Sequence, residues 1–405
     1  MDIPGLVKGF DTMHPALLFA AFFFFAVAYN LLGPLATNIM ASTGLSLTDS
    51  GMLVSSQQLG AIISMILSLL VMKRFRQSTV ARIGYTAMAI ALGSIAISSG
   101  SLLLFLFYLV IGFGSFLIDS GSNAALASDY YEKRSLYVPL LHFCYSAGAI
   151  ATGYLILPFK GPSWRWAYGL VGIVLAVIVI LSLLSQRSRD NKKKSERLEQ
   201  GNQATPEVQV GPIGALLKDK AFILYTLVIM FYMGSQIVCS AWIPVYVETE
   251  LAQPAAITAT SLTVFWIGTA ISRLIIGPVM NKGGKPFLLS IIGMFLAGLS
   301  LMGATMTTNI VLVLVFVALC GFFAGSTIPM YIVVTSTWFP QNTAFISLSY
   351  IVAGTVGRMV FPWLVTEIAS VTNLGYALLV SSLMLFISTI LIFMVQRLSR
   401  NRISF

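Results

Sequence analysis

An all-α membrane protein, with twelve transmembrane helices in two pseudo-symmetric six-helix bundles, is the fold class this sequence predicts. Three observations predict it. Hydrophobic residues make up 57% of the 405 positions and charged residues only 9%, with a mean hydropathy of +0.89, whereas a soluble domain carries roughly 25% charged residues. Apolar runs of roughly 20 residues, the length that crosses a bilayer, fill nearly the whole chain. One polar stretch divides them midway, leaving six runs on each side. Little chain is left for a soluble catalytic domain, so the protein is not expected to be an enzyme.

Taken in order, the first six spans are expected at 15–40, 51–72, 83–99, 102–128, 136–158 and 166–185. The second six are expected at 220–246, 255–280, 286–305, 309–335, 344–368 and 372–396. Each must be a helix, because backbone groups in lipid have to bond within their own segment. The first run follows a polar start and is too long for a signal-peptide core, with no small-residue cleavage site, so it reads as a retained span. Between the sets lies 186–219, including RSRDNKKKSERLEQGNQATPEVQ, too polar to fold alone. Such a long connection suits a cytoplasmic linker between two bundles, 1–185 and 220–405.

Basic residues fall on one side of this map. Lys8, Lys73, Arg74, Arg76, Arg82, Lys133, Arg134, Lys282, Lys285, Arg397, Arg400 and Arg402 lie in alternate loops or tails, and the linker adds the run from Arg187 to Lys220. The opposite loops hold Lys160 and Arg165 with the acids Asp49, Glu248 and Glu250. The positive-inside rule therefore puts both termini in the cytoplasm, and the expected location is the cell membrane, multi-pass, with a bacterial inner membrane as the first expectation. The net charge of +10 thus marks orientation in the lipid bilayer, with no nucleic acid partner implied. Cys144, Cys239 and Cys320 sit in apolar runs and read as small reduced hydrophobes. A shift of roughly 208 positions brings Gly60, Ser64 and Lys73 onto Gly268, Ser272 and Asn281, the internal repeat of a two-bundle transporter.

Strongly polar residues inside spans are costly and mark function by default. Asp119, in IGFGSFLIDSGSNAALA, has Asn123 one turn away on the same face, and Gly112 and Gly114 allow another helix to approach. Burial disfavours a charged carboxylate, which suits reversible protonation; a structural hydrogen-bond role is the alternative. Arg358 cannot lose its charge and needs an anion: Asp119, Glu367 or an acidic group of the substrate. Arg273, His142 and Asn281 read as gating or structural residues. Gln57, Gln236 and Asn30, with Tyr29, Tyr232, Trp242 and Trp266 nearby in sequence, supply the amides and aromatic faces that a sugar needs. With two histidines and no clustered cysteines a metal site is not expected, and no phosphate-cradling GxxxxGK[ST] motif points to ATP. No cofactor is expected, so the driving energy is a gradient.

At these residues the chain resembles the major facilitator superfamily and, within it, the fucose/galactose/proton symporter branch. The similarity lies in FFFFAVAYNLLGPLATNIM of span one, GAIISMILSLLVMKRF of span two, GSFLIDSGSNAA of span four, LLHFCYSAGAIATG of span five and FYMGSQIVCSAWIPVYVE of span seven. The resemblance implies a major facilitator fold, with Asp119 as the cavity carboxylate, Asn123 beside it and Gln236 at a polar cavity position. The chain departs from that branch at Gly33, where its fucose member has a second carboxylate, and in the degraded loop motifs MKRFR and NKGGK.

The expected function is that of a monomeric secondary transporter moving a small polar solute, a sugar first, by alternating access. Asp119 takes the proton and helps bind the solute, with sodium as the alternative coupling ion. Asn123, Asn30, Tyr29, Gln57, Gln236, Tyr232, Trp242, Trp266 and Arg358 are the further binding candidates. The competing expectation is a proton-coupled exporter of drugs, lipids or organic anions, anchored by Arg358.

Overall fold

The computed structural model describes residues 13–71, 75–130, 134–193 and 213–400. Lys8, Lys73, Arg74, Lys133, Arg402 and the 194–212 part of the linker, on which the orientation and linker expectations draw, lie outside them. Every described element is helical: α1 (Pro15–Tyr29), α2 (Leu32–Thr43), α3 (Leu47–Val71), α4 (Gln77–Ile97), α5 (Ser101–Asp129), α6 (Arg134–Leu155) and α7 (Trp164–Lys193), then α8 (Ile213–Lys218), α9 (Lys220–Thr249), α10 (Ala255–Asn281), α11 (Pro286–Thr305), α12 (Ile310–Ala324), α13 (Thr327–Trp338), α14 (Thr343–Val371) and α15 (Leu374–Leu398). Ten helical stretches are long and apolar enough to cross a membrane, and the bent pair α1 and α2 makes an eleventh. The remaining expected span coincides with α6, whose Arg134, His142, Ser146 and Thr152 dilute its apolar character. Apolar side chains that would be misplaced in water are fully presented at the surface, among them Ile97 at 88% and Leu102 at 80% exposure, as contact with lipid requires.

Two expected spans are broken, for one shared reason. The 15–40 span divides into α1 and α2, bent by 45°, and the 309–335 span divides into α12 and α13. Pro34 and Pro329 stand in the first turn of the second member of each pair. A proline has no N–H to give and its ring excludes the carbonyl four residues earlier, here that of Asn30 or Gly325. At the first break the Asn30 side chain donates Nδ2 to the Ala26 carbonyl at 2.8 Å, which closes α1.

The described contacts divide the chain into two compact units. Unit 1 comprises Met1–Leu31, Ser56–Ala151 and Phe159–Glu207; unit 2 comprises Leu32–Ser55, Thr152–Pro158 and Val208–Phe405. Unit 2 takes in α2 and the start of α3 because backbones meet there. A Cβ on Gly33 would lie 2.7 Å from the Ser240 carbonyl oxygen and 2.9 Å from the Ala241 Cα, so the backbone of α9 occupies the space a carboxylate would need. Ser55 Oγ donates to the Met359 carbonyl at 2.6 Å, and Thr37 Oγ1 donates to Glu248 Oε1 at 3.0 Å.

The same close approach recurs inside each unit. In unit 1 a Cβ on Gly60 would lie 1.8 Å from the Leu109 carbonyl oxygen, and one on Gly112 would lie 1.6 Å from that of Gln57. In unit 2 a Cβ on Gly268 would lie 2.1 Å from the Ala318 oxygen, and one on Gly321 would lie 2.2 Å from that of Phe265. The repeat read from Gly60 and Gly268 is therefore one packing device used twice, helix backbones in contact through paired glycines.

Unit 2 also closes a helix end with a distant charge. Both carboxylate oxygens of Glu250 accept backbone N–H groups at the start of α15, from Leu374 and, at 3.0 Å, from Gly375. These N–H groups have no partner within the helix, and the helix dipole favours a negative charge there. Glu250→Gln is expected to lower stability by about 1 kcal/mol, read as a fall in melting temperature of the purified protein; an unchanged value would mean that water replaces the cap at no cost.

Candidate functional site

Each unit carries a polar cluster inside its helices. In unit 1, α5 places Asp119 two turns beyond Gly112 on the same face. Asp119 and Asn123 are half-buried, and Asn123 donates Nδ2 to the Asp119 carboxylate at 3.0 Å and to its carbonyl at 2.8 Å. Tyr85 lies within electrostatic reach of Asp119 and bonds Ser122 at 3.2 Å. No basic side chain of unit 1 pairs with Asp119 among the described residues, so this is an acid held by an amide.

The α1 aromatics form a second part of unit 1. Tyr29 accepts a bond from Gln58 Nε2 at 2.8 Å and packs edge-on against Phe25, which also meets Tyr145. His142 is exposed and stands edge-on to Phe22 at 6.0 Å. Gln57 is 3% exposed, and its backbone carbonyl forms the contact with Gly112 described above.

In unit 2 the cluster gathers on α9 and α10. Gln236 donates Nε2 to the Tyr232 hydroxyl at 3.1 Å, and the Arg273 guanidinium lies against that same hydroxyl. Arg273 Nε donates to the Gly325 carbonyl at 3.4 Å, the oxygen left without a helical partner by Pro329. A cavity of about 10 Å³, the space of a single water, is lined by Tyr232, Ser235, Gln236, Cys239, Thr269 and Cys320 with apolar neighbours. The structure thus joins Arg273, expected to serve gating or packing, to Tyr232 and Gln236, expected to bind substrate.

The other expected residues are placed as follows. Arg358 is half-buried and its Nη2 donates to Thr355 Oγ1 at 3.3 Å. Glu367, one of its expected partners, instead accepts from Trp363 Nε1 at 3.2 Å. Trp242 is fully buried, and its indole N–H meets no acceptor among the described residues; Trp266 is buried edge-on against Phe265. Asn281 ends α10, and its side chain lies outside the described residues. Sequence reasoning missed Ser235 and Thr269. Thr269 stands one turn before Arg273, as Tyr232 does before Gln236, and that four-residue spacing was the available signal.

The profile of the Major Facilitator Superfamily matches residues 18–362. "Bypass of stop codon protein 6" of Saccharomyces cerevisiae is 24% identical over 311 residues, covering 70% of this chain and 62% of the yeast protein, so the chain spans less than two thirds of that relative's length. Among solved structures, a bacterial homologue of the human lysosomal transporter Spinster, inward-facing and unoccupied, superposes with a TM-score of 0.76 at 12% identity, covering 96% of this chain and 97% of that one. The nucleoside transporter NupG gives 0.73 at 13% identity over 95% and 98%, and a point mutant of the peptide transporter POT gives 0.72 at 14% over 97% and 96%. At these identities the likeness concerns the fold.

Proposed function

We propose that this chain, which belongs to the Major Facilitator Superfamily and is a multi-pass membrane transporter, not an enzyme, moves a small polar solute by alternating access and couples it to protons through Asp119. One observation carries the reading: a carboxylate in the middle of an apolar span, bonded by Asn123 and without a basic partner in its own unit among the described residues. A carboxylate inside an apolar span is costly to place there and marks function by default; on this reading its function is to take up and release a proton in each transport cycle.

The solute class follows from the amides. Gln58 with Tyr29 and Gln236 with Tyr232 each set a donor-and-acceptor amide beside a phenol, a combination suited to hydroxyls above an apolar ring face. A sugar, as in the fucose/galactose/proton branch, is the first candidate. Asn30 bonds the Ala26 carbonyl of its own helix, and its amide oxygen is the part left to serve as the expected binding group. Bundles 1–185 and 220–405 are the moving halves of a monomer, with linker 186–219 and both termini on the cytoplasmic side.

Proteoliposome uptake tests the coupling. Galactose, fucose, a nucleoside and a dipeptide, the last two because solved structures of similar fold are named as transporters of such solutes, are offered under an imposed proton gradient. Accumulation of one of them that collapses when a protonophore is added is the expected result. Uptake of equal extent with and without the gradient, or driven by sodium alone, would refute proton coupling.

A further inference from the structure

We propose that Arg273 recognises an acidic group on the transported solute, with the Tyr232 hydroxyl and the Gln236 amide reading the polar atoms beside it. The inference rests on the reading of this chain as a solute transporter and adds the charge of the cargo.

Arg273 lies inside the apolar span Ala255–Met280, where a permanent cation is costly unless an anion or hydrogen-bond acceptors surround it. A guanidinium presents five N–H donors in a rigid plane and accepts nothing. The structure accounts for few of them: Nε reaches the Gly325 carbonyl at 3.4 Å, and the group lies against the Tyr232 hydroxyl. No carboxylate of unit 2 pairs with it among the described residues. Arg273 is half-buried, whereas Tyr232 is 1% exposed.

The surroundings hold the cation in place, and among the described residues no acid of unit 2 meets its charge. The Gly325 carbonyl can accept from Arg273 because Pro329 has no N–H to offer, and a Cβ on Gly325 would lie 2.9 Å from the Thr269 carbonyl oxygen, so α10 is fixed against the α12–α13 break. From there Arg273 extends to Tyr232, whose hydroxyl is shared with Gln236 at 3.1 Å. A carboxylate or a phosphate suits this arrangement, because either accepts two parallel bonds from the guanidinium fork. Hydroxyls on the same solute would be met by Gln236 and Tyr232.

Melting temperatures of the detergent-purified full chain in the presence of glucuronate, glucose 6-phosphate or glucose test the inference, since a ligand of the native state raises apparent stability. The expected result is stabilisation by glucuronate or glucose 6-phosphate that glucose does not match at equal concentration; which acid acts tells carboxylate from phosphate. Arg273→Gln is expected to weaken that binding by about tenfold or more, and Arg273→Lys by less, since the charge stays while the fork is lost. If Arg273→Gln does not fold, Tyr232→Phe takes its place, expected to retain the native melting temperature and to bind the acid more weakly. Stabilisation by glucose equal to that by the acids, no shift with either acid, or acid binding unaltered in these variants overturns the inference. Proton-driven glucose uptake that survives Arg273→Gln also overturns it while leaving the Asp119 reading intact. Acid binding lost in Arg273→Gln, in a wild type whose uptake ignores the proton gradient, supports it and refutes that reading instead.

Discussion

Asp119→Asn is expected to abolish concentrative uptake while leaving solute exchange across the membrane. One proton moving down a gradient of one pH unit supplies about 1.4 kcal/mol, enough for about a tenfold solute concentration ratio. A variant that has no acid to load holds the ratio near one. The substitution keeps volume and shape, and the new amide oxygen still accepts the bond that Asn123 gives to the native side chain at 3.0 Å, so folding is expected to survive. Counterflow, in which labelled solute exchanges for unlabelled, needs no net proton movement and is expected to persist within about threefold of wild type. Loss of counterflow together with accumulation would show that Asp119 is also required for solute binding or for packing.

The second large effect is on stability. Gly112→Leu is expected to prevent native packing of α5 against α3, because even its Cβ would fall 1.6 Å from the Gln57 carbonyl oxygen, and that oxygen belongs to a helix backbone that has no rotamer to change. Gly268→Leu is expected to do the same for α10 against α12, where the nearest oxygen is 2.1 Å away. Losses above about 4 kcal/mol mark this kind of core clash, enough to consume a large share of a protein's stability. Gly277→Ala is the control: nothing lies within 4 Å of its Cβ in α10, and alanine is the better helix former by about 1 kcal/mol. Thermal unfolding followed by size-exclusion chromatography separates the outcomes. Leucine variants that run as monodisperse as wild type would show that these helices can move apart without penalty.

Much of this was legible in the residues because it is local. Asp119 and Asn123 are four apart on a helix, so the sequence alone placed them on one face, and their bond is the consequence. Gly60 and Gly268 carried the internal repeat, and the structure supplies its meaning as carbonyl contacts at Leu109 and Ala318. The helix breaks were written in Pro34 and Pro329, but hydropathy averages across a run of apolar residues and passes over a single missing N–H. The α6 helix is spelled with more polar residues than a lipid-facing span needs, so its span character rests on order along the chain more than on composition.

Long-range partnerships were not legible. Glu250 caps a helix that begins at Leu374, and no periodicity links positions 124 residues apart. Arg273 meets Tyr232 and Gly325 from separate helices, and sequence spacing assigned it a packing role because it sits near one end of a span. Glu367 stood close to Arg358 along one helix, yet its carboxylate is used by Trp363 one turn earlier; proximity in sequence suggested a pair that side-chain direction does not make.

Proton movement elicited by the solute itself bears most directly on Asp119 as the coupling group. Proteoliposomes holding a pH-sensitive dye, with no gradient imposed, receive the solute that uptake assays identify. Wild type is expected to acidify the lumen as solute enters, and Asp119→Asn to admit labelled solute by exchange without any change in pH. Solute entry through the wild type that leaves the lumen pH unmoved, or acidification that persists in Asp119→Asn, would contradict the account.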